Sequence, residues 1–209
     1  GDGGLTWEHH DPGNLNPLTS IGAPGPGTAW AAGENGTILR SDDGGETWEL
    51  QTSNTADHLV SICAVDEDSA WAAGELGTIL KTSDAGLYWT AGDTGVDALT
   101  ATLFALDDQT AWAAGSGGFM RKTSDGGATW SSQDADTSNS LLSIYAADAE
   151  NVWAVGENGA VLRTYDGGIS WVPQRISDGR TLIDVCAGGA QSAWAAGEAG
   201  AALLTTDGG

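Results

Sequence analysis

The sequence contains few residues of the types that most often indicate a particular function. Its 209 residues include only two cysteines, one methionine and seven lysines and arginines. No run approaches the roughly 18–20 apolar residues of a membrane-spanning helix, and no basic segment followed by an apolar one opens the chain as a secretory signal does. The chain also lacks an initiator methionine. We therefore interpret it as a processed or excised piece that could have lost an export signal; its location stays open, and an extracytoplasmic one fits.

Acidic residues dominate the charge of this sequence. The chain has 29 aspartates and glutamates against seven basic side chains, which gives a net charge of −22. Such a field repels phosphate backbones and anionic lipid headgroups, so we expect neither a nucleic acid partner nor a membrane partner. It suits a basic partner or cations. We expect a monomer that binds a protein or a small-molecule ligand.

Ten tryptophans set a strict period. They form two series whose successive members are 41 residues apart: Trp7, Trp48, Trp89, Trp130 and Trp171, and Trp30, Trp71, Trp112, Trp153 and Trp194. A period of about 40 residues with short strand-like runs is typical of β-propeller blades. Cys63 and Cys186 share a repeat position on non-adjacent repeats, so we expect no disulfide. The period predicts one domain, residues 1–209, of five repeats: 2–42, 43–83, 84–124, 125–165 and 166–206.

Within one repeat, the pattern predicts four short antiparallel strands. In the second repeat the runs 59–65, 70–73, 78–82 and 87–90 are separated by turns rich in glycine and aspartate. Each sheet of such a fold lies between two neighbours, so both of its faces must be apolar. We expect the tryptophan of the second strand to fill the space between blades, next to small alanines.

The two chain ends share one motif, which predicts closure of a ring. The chain opens with Asp2-Gly3-Gly4 and ends with Asp207-Gly208-Gly209, five periods later. The last repeat therefore lacks a fourth strand, while residues 4–10 form a strand without a blade. We expect residues 4–10 to pair with residues 201–206 and complete the last blade. The predicted fold is an all-β, five-bladed β-propeller with four antiparallel strands in each blade.

A second repeated feature lies at the turn before the fourth strand. The pattern Ser/Thr-x-Asp-x-Gly-x-Thr-Trp is complete from Ser41 to Trp48 and from Thr123 to Trp130. The aspartate can accept backbone N–H groups across the turn, the glycine supplies a positive φ, and the aromatic ring fixes the turn to the sheet. We expect a structural role for the aspartate in every copy: Asp2, Asp43, Asp84, Asp125, Asp166 and Asp207.

This pattern resembles the Asp-box, or bacterial neuraminidase repeat. The segments that lead into it, from Ala32 to Ser41 and from Val155 to Thr164, are similar to those of photosystem II assembly-factor propellers. The resemblance implies a propeller fold in which the Asp boxes lie far from the ligand site. Seven blades are usual in the assembly-factor group and six in sialidases, whereas this sequence has five repeats. The sialidase arginine triad does not carry over, because Arg40 and Arg163 are in-register strand positions that Lys81 and Lys122 also hold.

The candidate site is predicted from the loops and hairpins that lie together on one face of the propeller. In such a blade the loops from the fourth strand to the next first strand lie on the same side as the second-to-third hairpins, and propeller ligands usually bind there around the channel. We assign to this channel mouth eight residues: Glu34, Glu75, Glu157 and Glu198, which share one repeat position, together with Asp57, His58, Asp97 and Asp184. Carboxylates near a histidine could hold Ca²⁺ or another divalent cation. A glutamate in a Gly-Glu-x-Gly hairpin is also commonly a solvated turn residue, so no metal ligand or catalytic residue is assigned.

These observations favour a binding or scaffolding module, with its ligand at the channel mouth, over an enzyme. Short loops leave little room for an enclosed substrate pocket. One alternative is a metal-assisted, promiscuous hydrolase in which a metal-bound water is activated among the channel-mouth carboxylates. Another is a carbohydrate-binding propeller, which predicts loop motifs repeated in most blades. The loops between blades are the least repetitive part of this chain, which weighs against repeated sugar sites. The ligand and the parent protein stay open.

Overall fold

The chain folds into five successive antiparallel sheets. The computed structural model describes residues 8–14, 16–92, 100–174, 176 and 179–209. Sheets 1 and 2 each contain four strands in chain order, with these bounds: β1 (Leu18–Gly22), β2 (Ala29–Gly33), β3 (Ile38–Ser41) and β4 (Glu49–Leu50), then β5 (Leu59–Ala64), β6 (Ala70–Gly74), β7 (Ile79–Thr82) and β8 (Thr90–Gly92).

Sheets 3 and 4 repeat this meander, and sheet 5 has three strands among the described residues. Their bounds are as follows: β9 (Thr100–Ala105), β10 (Ala111–Gly115), β11 (Met120–Thr123) and β12 (Ser131–Ser132); β13 (Leu141–Ala146), β14 (Val152–Gly156), β15 (Val161–Thr164) and β16 (Val172–Pro173); β17 (Leu182–Gly189), β18 (Ser192–Gly197) and β19 (Ala202–Thr205). The prediction of an all-β chain built of four-stranded antiparallel units is confirmed for sheets 1 to 4. No helix among the described residues is long and apolar enough to cross a membrane.

Each second-to-third hairpin contains one turn of 3-10 helix. These turns are Glu34–Gly36, Glu75–Gly77, Ser116–Gly118, Glu157–Gly159 and Glu198–Gly200. The middle residue of each turn has a positive φ, even where it is Leu76 (56°). Gly36 also has a positive φ, and a Cβ atom there would lie 2.0 Å from the Thr55 carbonyl oxygen. Glycine at this repeat position therefore lets the turn lie close against the neighbouring loop.

Tryptophan packing joins each sheet to the next. Contacts link β1 to β5, β5 to β9, β9 to β13 and β13 to β17. Trp30 of sheet 1 is fully buried and clusters with Leu59 and Ile62 of sheet 2. Its ring meets the Trp89 ring edge-on, with centroids 5.7 Å apart and an interplanar angle of 84°. The predicted packing of the second-strand tryptophan between sheets is observed at this junction.

A basic residue on the third strand reinforces every junction between sheets 1 and 5. It lies over the tryptophan of its own sheet, at these distances from the ring centroid: 5.3 Å (Arg40–Trp30), 4.9 Å (Lys81–Trp71), 5.0 Å (Lys122–Trp112) and 4.6 Å (Arg163–Trp153). The same cation donates a hydrogen bond to a backbone carbonyl of the next sheet: Glu67, Asp108, Gly167 and Ala190, respectively. This double contact explains why the position is basic in four repeats. Leu204 holds it in sheet 5.

The outer faces of the first and last sheets are exposed, so the closed ring expected from the sequence is not observed among the described residues. Ile21 of β1 is 67% exposed and Trp194 of β18 is 47% exposed. A closed ring would press these two faces together and bury both side chains. Residues 1–7 lie outside the described residues, and no strand is assigned to residues 8–10. The predicted pairing of residues 4–10 with 201–206 therefore stays a prediction.

Candidate binding face

The five hairpin turns and the residues just before the first strands share one side of the sheets, as the sequence predicts. In four of the five sheets the turn donates its first N–H to the carbonyl of the residue preceding the first strand: Glu34 to Pro17 at 3.0 Å, and Glu75 to His58, Glu157 to Ser140 and Glu198 to Thr181 at 2.9 Å each. We call this side, formed by the five 3-10 turns and those preceding residues, the hairpin face. Its backbone is rigidly held, because every such bond ties a turn to the loop beside it.

The four predicted glutamates lie on the hairpin face, one in each of four sheets. Glu75, Glu157 and Glu198 are exposed, and Glu34 is half-buried. Ser116 holds the position in sheet 3. Within the described residues, no three His, Cys, Asp or Glu side chains lie close enough together to hold a metal ion. The expected convergence of these glutamates into a cation site is therefore not found there, because each glutamate belongs to the hairpin of a different sheet.

Asp57 and His58 join sheet 2 to sheet 1 on the hairpin face. The Asp57 carbonyl accepts the Gly36 N–H at 2.9 Å, and its carboxylate accepts the Thr78 hydroxyl hydrogen bond. His58 Nε2 lies 3.4 Å from Glu34 Oε1, across the junction between the two sheets. Of the eight predicted site residues, His58 and Glu34 are thus a pair that the structure brings together. Asp97 lies outside the described residues.

Asp184 belongs to a ladder of polar side chains on the innermost strands. Ser20 of β1 accepts the Ile62 N–H of the next sheet at 3.0 Å, and Ser143 of β13 accepts the Val185 N–H at 3.2 Å. Asp184 holds the corresponding position in sheet 5, where its carboxylate accepts the Ser143 hydroxyl at 2.9 Å. The side chain is exposed. The Asp184 carboxylate therefore continues the ladder from sheet 4 into sheet 5, on the first strand β17 and not on the hairpin that contains Glu198.

The Asp boxes lie on the opposite side, which we call the Asp-box face. In sheet 1, Asp43 accepts the Ser41 hydroxyl, the Thr47 N–H and the Thr47 hydroxyl, at 2.8, 2.9 and 2.5 Å. The next N–H, that of Gly44, donates to the Gly27 carbonyl in the turn between the first two strands. The hydrogen bond from the Thr47 hydroxyl, followed by that from the Thr47 N–H, lowers the pKa of Asp43 to about 2.

The other described copies of the box keep this arrangement with local differences. Hydrogen bonds led by the Thr129 hydroxyl lower the pKa of Asp125, and those led by the Ser170 hydroxyl lower the pKa of Asp166. In sheet 2, Tyr88 replaces the threonine and contributes its N–H to Asp84 at 3.0 Å. Asp207 accepts the Thr205 hydroxyl at 2.9 Å, and Asp2 lies outside the described residues. These aspartates are engaged within their own turns, on the side away from the hairpin face.

An apolar cavity that was not predicted from the sequence lies at the β19 edge of sheet 5, next to sheet 4. Its volume is about 580 Å³, and residues of both faces of that edge line it: Pro173 and Leu203 on the side of sheet 4, with Trp153, and Trp194 on the outer side. The cavity lies beside β19, the edge strand of sheet 5. At the first junction the corresponding space holds Trp89 of the Asp box against Trp30.

A match to a known family identifies these repeats. The model of the photosynthesis system II assembly factor YCF48 family matches residues 8–83 and 128–209, more than half of the sequence. The chain belongs to this family. The resemblance inferred from the Asp boxes and the segments before them is thus confirmed by the YCF48 family match. A search of the curated proteins finds no match.

Solved structures agree with the YCF48 family assignment at the level of the fold. YCF48 from Cyanidioschyzon merolae is 20% identical, with a TM-score of 0.78 over 98% of this chain and 74% of that one. A YCF48 bound to D1 peptide is 19% identical, with a TM-score of 0.65 over 93% and 79%. The GH74 enzyme of Niastella koreensis is 14% identical, with a TM-score of 0.74 over 92% of this chain but 37% of that enzyme. At such identities these similarities establish a propeller-type fold and nothing about activity.

Proposed function

We propose that this chain is a peptide-binding propeller module whose ligand lies on the hairpin face. Membership of the YCF48 family supports this proposal, because a YCF48 of the same fold binds a D1 peptide. The continuous packing from sheet to sheet supports treating residues 1–209 as one domain. Completion of sheet 5 by residues 4–10, which would give five full blades, stays a prediction from the sequence that the described residues do not test.

The observation that carries the proposal is the row of hairpin glutamates, one in each of four sheets and interrupted by Ser116 in sheet 3, on a hydrogen-bonded backbone. Four of the five 3-10 turns donate a hydrogen bond to the loop beside them, so the backbone of the glutamate in each of those four turns has a fixed position. Three of the four glutamates are exposed, and the chain has a net charge of −22. A peptide with several lysines or arginines could pair with the turns of sheets 1 and 2 and with those of sheets 4 and 5 at little ordering cost to the protein. We therefore infer a basic peptide as the ligand class.

Neither alternative function is favoured by a specific contact. A metal-assisted hydrolase needs a cluster of carboxylates, whereas the glutamates of the described residues lie one to a sheet. A carbohydrate-binding role would draw on the similarity to GH74 enzymes, which concerns the fold alone. We keep the peptide-binding module as the single proposal.

The test is binding to fluorescent peptides of one length whose net charge runs from acidic to basic. Fluorescence anisotropy should show that affinity rises with positive charge and falls with salt. Glu75→Gln and Glu157→Gln should each weaken binding about two- to fivefold, since an exposed ion pair contributes up to about 1 kcal/mol. The matched control is Glu67→Gln, an exposed glutamate in the first-to-second turn on the Asp-box face. Equal losses from the control and the two test variants, or no preference for basic peptides, would refute the proposal.

A further inference from the structure

The two exposed ends of the sheet array are complementary halves of one junction. We call the outer face of sheet 1, which contains Leu18 and Ile21, the leading face. We call the outer face of sheet 5, which contains Trp194 and Leu204, the trailing face. Leu18 and Ile21 correspond to Leu59 and Ile62, which pack on the second-strand tryptophan of the preceding sheet. Trp194 corresponds to that tryptophan. The leading face therefore offers the side chains that a junction on the trailing face requires.

The side chains of these two faces are far more exposed than their counterparts at the buried junctions. Leu59 and Ile62 are 0% and 6% exposed, whereas Leu18 and Ile21 are 46% and 67% exposed. The four described counterparts of Trp194 are at most 2% exposed: Trp30, Trp71, Trp112 and Trp153. Exposed apolar groups of this size on a face that is buried elsewhere in the same chain mark an interaction surface.

We propose that the chain associates head to tail: the leading face of a second copy packs on the trailing face. Leu18, Ile21, Trp194 and Leu204 are all exposed within one chain, so each end face is free to be covered by the opposite face of another copy.

One polar residue, Asp184, and one apolar residue, Leu204, bear on the same junction. The ladder places Ser20 opposite the N–H of Ile62, 42 residues further along the chain, and Ser143 opposite that of Val185. The same offset, continued in phase into a second copy, places Asp184 opposite the N–H of Ile21. Leu204 replaces the cation of the other sheets, so this junction depends more on apolar contact. The net charge of −22 opposes association, and salt should therefore strengthen it.

The test uses two variants that each block one end. Trp194→Asp removes the trailing contact, and Ile21→Asp removes the leading contact; both side chains are exposed, so each variant should fold with unchanged circular dichroism. Multi-angle light scattering after gel filtration should show the wild type assembling beyond a dimer as protein and salt concentrations rise, because a heterologous contact does not stop at two copies. Each variant alone should be monomeric. Their equimolar mixture should form a one-to-one heterodimer and nothing larger, since it retains one intact junction.

The control is Ile169→Asp, a highly exposed position in the Asp box of sheet 4, which should assemble as the wild type does. A wild type that stays monomeric at every concentration and salt level, the state expected from the sequence, would overturn the proposal. So would assembly of either single variant, or a mixture that stays monomeric. If the wild type were monomeric and both variants lowered its melting temperature, closure within one chain would replace head-to-tail association.

Discussion

The second-strand tryptophan lies in two environments, at the buried junctions between sheets and on the exposed trailing face of sheet 5. Trp71, between sheets 2 and 3, is 1% exposed, and Trp194, on the outer side of sheet 5, is 47% exposed. The surrounding sequence is nearly identical, with Ala-Trp-Ala-Ala-Gly in both strands. The difference lies in what covers each ring, because Trp71 has a following sheet and Trp194 has none among the described residues. A repeat therefore supplies half of a junction, and its contribution to stability depends on a neighbour.

The largest expected effect comes from removing a tryptophan at a buried junction. Trp71→Ala should lower the free energy of unfolding by about 3–5 kcal/mol, because it leaves a cavity between two sheets. The matched variant Trp194→Ala should cost less than half as much in dilute protein, since nearly half of that side chain is already in water. Urea unfolding followed by circular dichroism measures both. Equal losses would contradict the distinction between buried junctions and open ends.

A smaller effect is expected from the cation that lies over the tryptophan. Lys81→Met keeps most of the apolar stem but removes the hydrogen bond to the Asp108 carbonyl and the contact with the Trp71 ring. We expect a loss of about 1–2 kcal/mol in the free energy of unfolding. Arg180 provides a comparison, because it is exposed and donates to the Ala199 carbonyl at 2.8 Å within its own sheet: Arg180→Met should change stability by less. Equal losses in the free energy of unfolding from Lys81→Met and Arg180→Met would contradict a stabilising role for the cation at the junction.

The Asp boxes predict a dependence of stability on acid. The folded pKa of Asp43 is about 2, below the value of about 3.9 in an unfolded chain. A lowered folded pKa contributes stability that is present above the unfolded value and is lost as pH falls through the folded one. The melting temperature should therefore change little from pH 7 to 5 and fall between about pH 4 and 2. Asp43→Asn should lower the melting temperature at pH 7 and flatten the acid limb, and an unchanged acid limb would contradict this assignment.

The smallest expected effect comes from adding to the trailing face the cation that lies over the tryptophan at the buried junctions. Leu204→Arg places a guanidinium beside Trp194, where it could donate to the Pro26 carbonyl of a second copy, the counterpart of Glu67. Head-to-tail association should tighten about two- to tenfold, in line with a cation–π contact of about 0.5–1 kcal/mol or somewhat more. Sedimentation equilibrium measures the change, and Leu204→Gln is the uncharged control. Equal association of the two variants would indicate that the trailing face does not reproduce the buried junction.

Much of the fold could be predicted from the sequence, because its period and its turns act locally. The spacing of Trp30 and Trp71 predicted the repeat, and the glycines around Glu34 predicted the hairpin. The same spacing is compatible with a closed ring and with an open array, since the rotation from one sheet to the next is set by packing and not by repeat length. Closure of the ring was therefore predicted and not observed among the described residues.

For the candidate site, the sequence predicted the face but not the distances across it. Hydrogen bonds such as Glu75 N–H to the His58 carbonyl place the hairpins and the loops together, as the order of strands requires. Convergence of Glu34 with Glu157 depends on how far apart their sheets lie, which no local pattern encodes. The pair of Glu34 and His58 forms because these residues belong to neighbouring sheets.

The central claim, that the leading and trailing faces are two halves of one junction, is tested most directly by a crosslink between them. Cys63 Sγ lies 3.4 Å from the backbone nitrogen of Ala105 in the next sheet, and the same offset places Cys186, which is exposed and free, beside Ala23 of a second copy. Ala23→Cys, oxidised with diamide at high protein concentration, should give disulfide-linked oligomers on a non-reducing gel, and the double variant with Cys186→Ser should not. A monomeric band with an internal disulfide, or no disulfide at all, would contradict the account.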